Sequence, residues 1–416
     1  MIEVKPELPT AELRSADKLS RLLALSILDD VYVPTARDIT SAVVVLRMLV
    51  KGYELRPPNT NYWLQHNATC SKFVQSTRKV QRGIGVGQSA AIIGVSGTGK
   101  SSSVENFLGS VPQVIEHDQS KNALLPRAQI VWIKVVCPVN RRPRAFISQF
   151  LSEVDRLAGT AYGESNRRAT DEELLNLLAR AIRVHAVGLL VIDEIQNVVG
   201  RSTKTDRQLM KLFVNMTGTL RVPLLFIGTP KSQDVLDAEL ADARRMLGTR
   251  WTPFKREDMD WDKIITSLWE YQYTKVWSAL TPEIKQTIFD LTQGIPALAK
   301  TLYSFAQQKV ILNSPKGQPE LITANILRET ADEDMISVAG AVHALRTGAG
   351  LDVYDDLLPK ILPSPAANLG SSPDLISTAQ QSFNDTFLKT TKNLARHEAS
   401  IKFSAERAPS SATSRR

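Results

Sequence analysis

The hydrophobic rhythm of the chain changes twice. Up to about residue 88, apolar positions recur at three- and four-residue spacing. PTARDITSAVVVLRMLVKGYEL therefore predicts a helix capped at Thr40 or Asp38, ended by the two prolines of RPPNT. From there to about residue 255, unbroken apolar runs alternate with amphipathic stretches. VGQSAAIIGV, QIVWIKVV, LLVIDE and VPLLFIGTP read as buried strands. PRAFISQFLSEVDRLAG, TDEELLNLLARAIRVHAVG and RQLMKLFVNMTGTL read as helices, the second with Thr170 and Glu173 at capping-box spacing and Gly188 as its stop. Continuous apolar strands separated by helices predict an α/β fold whose parallel sheet is covered on both faces. After WTPFKRED the pattern is helical, through DKIITSLWEYQY, TPEIKQTIFDLTQG and IPALAKTLYSFAQQKVIL. From SPAANLGSSPD to RAPSSATSRR it is rich in Ser, Ala, Pro and Thr. That composition predicts a largely disordered tail with one short helix near TAQQSFNDTFLKTTKNLARHEA. The expected organisation is a helical extension over 1–88, an α/β unit over 89–255, a helical unit over 256–345 and a tail over 346–416.

Composition narrows the class. The 416 residues, 43% hydrophobic and 23% charged, suffice for two or three modest domains with cores of their own. No apolar run approaches the roughly 20 residues of a membrane span, and MIEVKPELPTAELR has no apolar signal segment. Two cysteines, Cys70 and Cys137, make neither a disulfide framework nor a metal set, and Cys137 reads as a buried strand-end residue. The expectation is a cytoplasmic protein with no membrane contact. A net charge of +8 favours an acidic partner, nucleic acid first.

Three stretches carry candidate chemistry. GVSGTGKS fits G-x-x-x-x-G-K-[ST] at every fixed position, after a strand and before a helix. Its backbone, Gly94, Val95, Ser96, Gly97, Thr98, Gly99, Lys100, Ser101 and on to Ser102, is suited to cradle the phosphates of ATP. Lys100 is placed to meet the β- and γ-phosphates and the Ser101 hydroxyl to ligate Mg²⁺. LLVIDE ends in two carboxylates: Asp193 to hold Mg²⁺, Glu194 to orient and activate the attacking water. FIGT ends a buried strand on Thr229, suited either to contact the γ-phosphate or the water, or simply to cap the strand.

This order of phosphate loop, acidic strand end, polar strand end and helical lid resembles the AAA+ ATPases. The resemblance implies a P-loop three-layer α/β fold with a lid, ATP hydrolysis, and an arginine supplied by a neighbouring subunit. Arg244, Arg245 and Arg250 are the candidates for that arginine. In QGIPALAK, Ala297 stands where a lid arginine is expected, which leaves a sensing role absent or moved to Lys300. The strings PQVIEH, QIVWIKVVCP, GLLVIDEIQN, PLLFIGTPK, ARRMLG, SLWEYQ and TQGIPALAKTLYSFAQQ, with GYELRPPNTNYW upstream, resemble the TnsC/TniB regulators of Tn-type DNA transposition over about residues 50–345. That likeness implies an ATP-dependent homo-oligomer, ring or helical filament, that assembles on duplex DNA. It further implies a link from target-selector proteins to the transposase, with hydrolysis driving disassembly. A sequence-neutral grip on DNA needs Lys and Arg at the phosphates. The candidates are Arg141, Arg142 and Arg144 in NRRPR, and Arg201, Lys204 and Arg207 in GRSTKTDR. The alternatives are an AAA+ loader of a replication or repair protein onto DNA, and a signalling NTPase that does not touch DNA.

Overall fold

The computed structural model describes residues 5–56, 88–118, 126–165, 168–198, 204–233, 236, 247–314 and 318–347. Four N-terminal helices open the chain: α1 (Ala11–Ser15), α2 (Lys18–Ala24), α3 (Ile27–Asp30) and α4 (Ala36–Leu55). The α/β unit follows. Its strands are β1 (Ser89–Gly94), β2 (Val114–Glu116), β3 (Ala128–Ile130), β4 (Trp132–Val136), β5 (Leu189–Asp193), β6 (Leu224–Gly228) and β7 (Leu247–Trp251). Its helices are α5 (Lys100–Gly109), α6 (Pro143–Ala158), α7 (Tyr162–Ser165), α8 (Asp171–Val184) and α9 (Lys204–Gly218). The lid holds α10 (Met259–Trp269), α11 (Pro282–Thr292), α12 (Pro296–Asn313), α13 (Ala324–Asp334) and α14 (Ile336–Thr347).

Five strands form one parallel sheet in the order β4-β5-β6-β1-β7. β1, β5 and β6 are buried along their whole length, which is why they read as continuous apolar runs rather than alternating ones. One face of the sheet packs Ile93, Ile133, Leu190 and Phe226 against α6, α8 and α9, through Phe146, Phe150, Leu178 and Phe213. The other packs Ala90, Ile92, Val191 and Ile227 against α4 and α5, through Val45, Met48, Val104 and Leu108. This is the three-layer α/β architecture the strand pattern implies, with the helical lid after it.

Local readings diverge in four places. QIVWIKVV is two strands: β3 pairs antiparallel with β2, and only β4 joins the main sheet. The edge strand β7, in LGTRW, carries too little apolar sequence to announce itself; it is held by β1, with Ile93 opposite Arg250. The start of α4 lies upstream of Thr40 and Asp38. Thr35 is its N-cap, and Asp38 is the third helical residue, whose carboxylate accepts from the Thr35 amide at 2.8 Å. Gly188 does not stop α8, which ends at Val184. A Cβ there would lie 2.4 Å from the Val131 carbonyl oxygen, so glycine serves a close backbone approach. The expected capping box of Thr170 and Glu173 is present.

The N-terminal helices divide between two partners. Leu25, Leu28, Val31 and Val33 join the lid core with Trp261, Leu268, Leu298 and Leu302. α4 instead lies on the sheet, where Tyr53 Oη donates to the Ala186 carbonyl at 3.1 Å and buried Arg56 to Gly188 at 3.3 Å. The expected tail over 346–416 is helical at its first two residues, the end of α14, and from 348 on, with its expected short helix, lies outside the described residues, as does Cys70. Cys137 is buried at the end of β4, and burial pushes its thiol up to about 12. No helix among the described residues is long and apolar enough to cross a membrane.

Candidate nucleotide-binding site

Parallel register brings the C-terminal ends of β1, β5 and β6 to one edge of the sheet. Gly94, Asp193 and Gly228 stand there side by side, beside the switch in strand order where ligands of such sheets bind. Gly94 can be nothing larger, because a Cβ would lie 2.1 Å from the Trp251 carbonyl oxygen on β7. The turn that follows needs Gly97 at φ +78° and Gly99 at φ +95°, the left-handed region that glycine enters without strain. Gly99 caps α5, so the amides of its first turn face the cleft. Lys100 is buried and donates to the carbonyls of Gly94 and Val95 at 2.7 and 2.9 Å. Ser101 Oγ donates to Asp193 Oδ1 at 3.2 Å.

Asp193 is buried, and three groups face it. Besides Ser101, the Glu194 amide donates to Oδ1 at 2.9 Å, and the Lys134 ammonium lies 2.7 Å from Oδ2. Burial depresses the Lys134 ammonium, but Asp193 and then Glu105 more than reverse this and leave its pKa raised. Glu194 adopts φ +55°, a strained conformation for a side chain with a Cβ and one often met at functional positions. Its carboxylate accepts from the Gln196 amide nitrogen, while Gln196 Oε1 accepts from the Thr229 backbone N–H at 3.2 Å. Gln196 thus ties the acidic strand end to the polar one.

Together these groups line a cleft of about 290 Å³. Its walls include Ser96, Gly97, Thr98, Gly99, Lys100, Ser101 and Ser102, with Asp193, Glu194 and Thr229. Of the remaining wall, only Ala297 and Lys300 were legible in the sequence. The segment between α3 and α4 supplies Val31, Tyr32 and Val33, and the lid supplies Ile264, Leu268, Pro296, Ala297 and Lys300. The lid touches the phosphate loop directly, the Ala297 amide donating to the Gly97 carbonyl at 3.2 Å. Lys300 lines the cleft, but its ammonium donates to the carbonyls of Asp29 and Val31, at 3.2 and 2.5 Å, and burial lowers its pKa. Arg37 also braces the loop: it donates to Thr98 O at 2.7 Å and Thr252 O at 2.9 Å, and its guanidinium stacks over Phe254 at 3.6 Å. Burial lowers the Arg37 pKa to about 10.

The donor set suits a nucleoside triphosphate with its metal. Glycine-lined amides and a lysine would suit phosphate, and a hydroxyl beside a carboxylate offers the hard oxygen ligands that Mg²⁺ takes. The apolar end, Val31, Val33, Ile264, Leu268 and Pro296, suits a flat base.

The basic candidates are more dispersed. Arg250 is exposed on β7, whereas Arg244, Arg245 and Arg201 lie outside the described residues. Lys204 opens α9 and Arg207 follows one turn later. Arg141 donates from Nε to the Asn197 carbonyl at 2.9 Å, Arg142 caps α6, and Arg144 donates to Ala169 O at 2.7 Å with Asp171 at 3.2 Å. Arg141 and Arg144 therefore already serve the turns around them.

Residues 85–236 match a family model. Its description is "AAA domain". The matched stretch spans most of the α/β unit, from just before β1 to just after β6. Among curated proteins none matches the chain. Among solved structures, the chain is similar to a Walker-type ATPase of Pyrococcus abyssi, at 14% identity and a TM-score of 0.38, over 68% of this chain and 75% of that one. It is similar to Drosophila ORC bound to DNA, at 14% identity and 0.41, over 92% and 88%. It is also similar to the ORC2 protein of Aeropyrum pernix in its ADP form, at 13% identity and 0.40, over 65% and 67%.

Proposed function

We propose that this protein is an ATPase whose nucleotide state times its assembly on duplex DNA, and that it acts in transposition as a TnsC/TniB-type regulator between target selection and transposase. The observation that carries the ATPase reading is the meeting of Lys100, Ser101, Asp193, Glu194 and Thr229 around one cleft closed by the lid. In the proposed reaction Glu194 takes a proton from water as its oxygen attacks the γ-phosphorus. The bond to the β–γ bridging oxygen breaks, releasing ADP and phosphate. Lys100 leaves its loop carbonyls for the β- and γ-phosphates, and Thr229 faces the γ-phosphate. Ser101 and Asp193 would hold Mg²⁺, whose charge screens the phosphate oxygens.

The assembly reading is supported by the net charge of +8 and by the strings that resemble that family. Arg244, Arg245 and Arg250 are the proposed donors to a neighbouring subunit's site. The basic residues of 141–144 and 201–207 are the proposed DNA contacts. A cleft built from both lid and α/β unit suits a timer, because a nucleotide bridging them sets the lid that a neighbour would meet.

The test is Glu194→Gln. It should bind ATP normally, lose at least about a hundredfold in hydrolysis, and leave persistent rings or filaments on duplex DNA by electron microscopy. An unaltered hydrolysis rate would remove Glu194 from the reaction. Normal loss of hydrolysis without DNA-bound assemblies would favour an ATPase of another purpose.

A further inference from the structure

Asp193 is shared between two directions. Its Oδ1 faces Ser101 and the Glu194 amide, where a metal would be held, and its Oδ2 faces the Lys134 ammonium at 2.7 Å. The same ammonium lies 2.5 Å from Glu105 Oε1 on α5. The Asp193 side chain is 7% exposed and that of Lys134 21%, so solvent screens this pair weakly, whereas Glu105 is 57% exposed. Such a carboxylate is already neutralised before any metal arrives. A divalent cation on Oδ1 would stand on the same carboxylate as a fixed positive charge, and the two would repel.

We propose that Lys134 is the built-in counter-cation of this metal site: it neutralises Asp193 while no metal is held, and yields toward Glu105 when one binds. Metal affinity is then set by how one ammonium divides itself between two carboxylates. The proposal rests on the reading that Ser101 and Asp193 hold the metal of a nucleotide site. It also gives α5 a part in metal occupancy, since Glu105 lies on the helix that begins at Lys100.

The experiment measures Mn²⁺ binding to the full chain by electron paramagnetic resonance, with a slowly hydrolysed ATP analogue at saturation. Lys134→Met keeps the stem and removes the charge, and should tighten Mn²⁺ binding at least about tenfold. Glu105→Gln deprives the ammonium of its second partner and should weaken it about threefold or more. Lys134→Met should also lower the thermal midpoint of the metal-free protein, because it leaves Asp193 without its counter-charge. Unchanged or weaker Mn²⁺ binding in Lys134→Met would overturn the proposal. Were that variant not to fold, unchanged or tighter binding in Glu105→Gln would overturn it alone. Ser101→Ala separates the underlying reading: it should lose Mn²⁺ affinity, and undiminished binding there would move the metal elsewhere and leave Lys134 no competitor.

Discussion

At the scale of single residues, the site depends on groups that cannot be exchanged for near relatives. Gly94 is the tightest: a methyl group there meets the backbone oxygen of Trp251, which is held in β7 and cannot move aside. Gly94→Ala should therefore destabilise the fold by about 1–3 kcal/mol, read as a lower denaturation midpoint, as overpacking of a rigid neighbour does. A midpoint within error of the parent would mean that β7 can shift away from β1. The residues with motif signatures, Lys100, Ser101, Asp193, Glu194 and Thr229, were legible because their spacing along the chain is itself the signal. Arg37, Lys134 and Gln196 were not. Each acts through partners brought by distant elements, such as Thr98 for Arg37 and Glu105 for Lys134. The run VYVPTARD did hold a clue, an extended β-branched stretch stopped by proline and then a capping pair.

Between elements, the N-terminal segment acts as a strap from lid to cleft. Its anchor is Arg21, fully buried on α2, which holds Glu320 through two hydrogen bonds, at 2.5 and 3.0 Å, and the Tyr273 carbonyl at 3.1 Å. Burial would raise the Glu320 pKa, but Arg21 and the Lys275 amide hold it below the usual carboxylate range. Arg21→Leu leaves that carboxylate buried without its partner, and should cost about 3–5 kcal/mol. The same change should speed amide hydrogen exchange over residues 18–33 and weaken ATP binding through Val31 and Val33. Pairing it with Glu320→Leu should recover most of the loss. Slow exchange in the single variant would show that the strap does not depend on this pair. A second element-level device is His185, the C-cap of α8, whose ring stacks edge-on against Tyr162 with Nδ1 3.1 Å from the Ala128 carbonyl oxygen. Burial lowers its pKa below the ordinary histidine value of about 6.5 despite that contact. The unfolded chain thus takes up a proton first, and stability falls as pH drops through about 6.5, by at most about 1.4 kcal/mol per pH unit. His185→Gln should flatten that slope in denaturation curves taken between pH 7 and 5, and a slope unchanged by the substitution would assign it to other groups.

For the whole molecule, hydrophobic rhythm was enough to foretell a covered parallel sheet and a helical lid. The reason is that burial on both faces forces continuous apolar strands, and a helical core forces a 3.6-residue period. It could not foretell β7, whose place depends on pairing with β1 rather than on its own composition. Nor could it show that α2 and α3 belong with the lid while α4 belongs with the sheet, since both are helical by the same rhythm. That division puts the cleft between three segments remote in sequence, so a bound nucleotide would join them. On the proposed function, this joining governs the grip on DNA. That is tested most directly by fluorescence anisotropy of a labelled duplex titrated with the protein, in a slowly hydrolysed ATP analogue and in ADP, at several salt concentrations. Binding should be tight with the analogue and at least about tenfold weaker with ADP, with little dependence on sequence and a steep fall with salt. Equal affinity in the two nucleotides, or a response flat in salt, would contradict it.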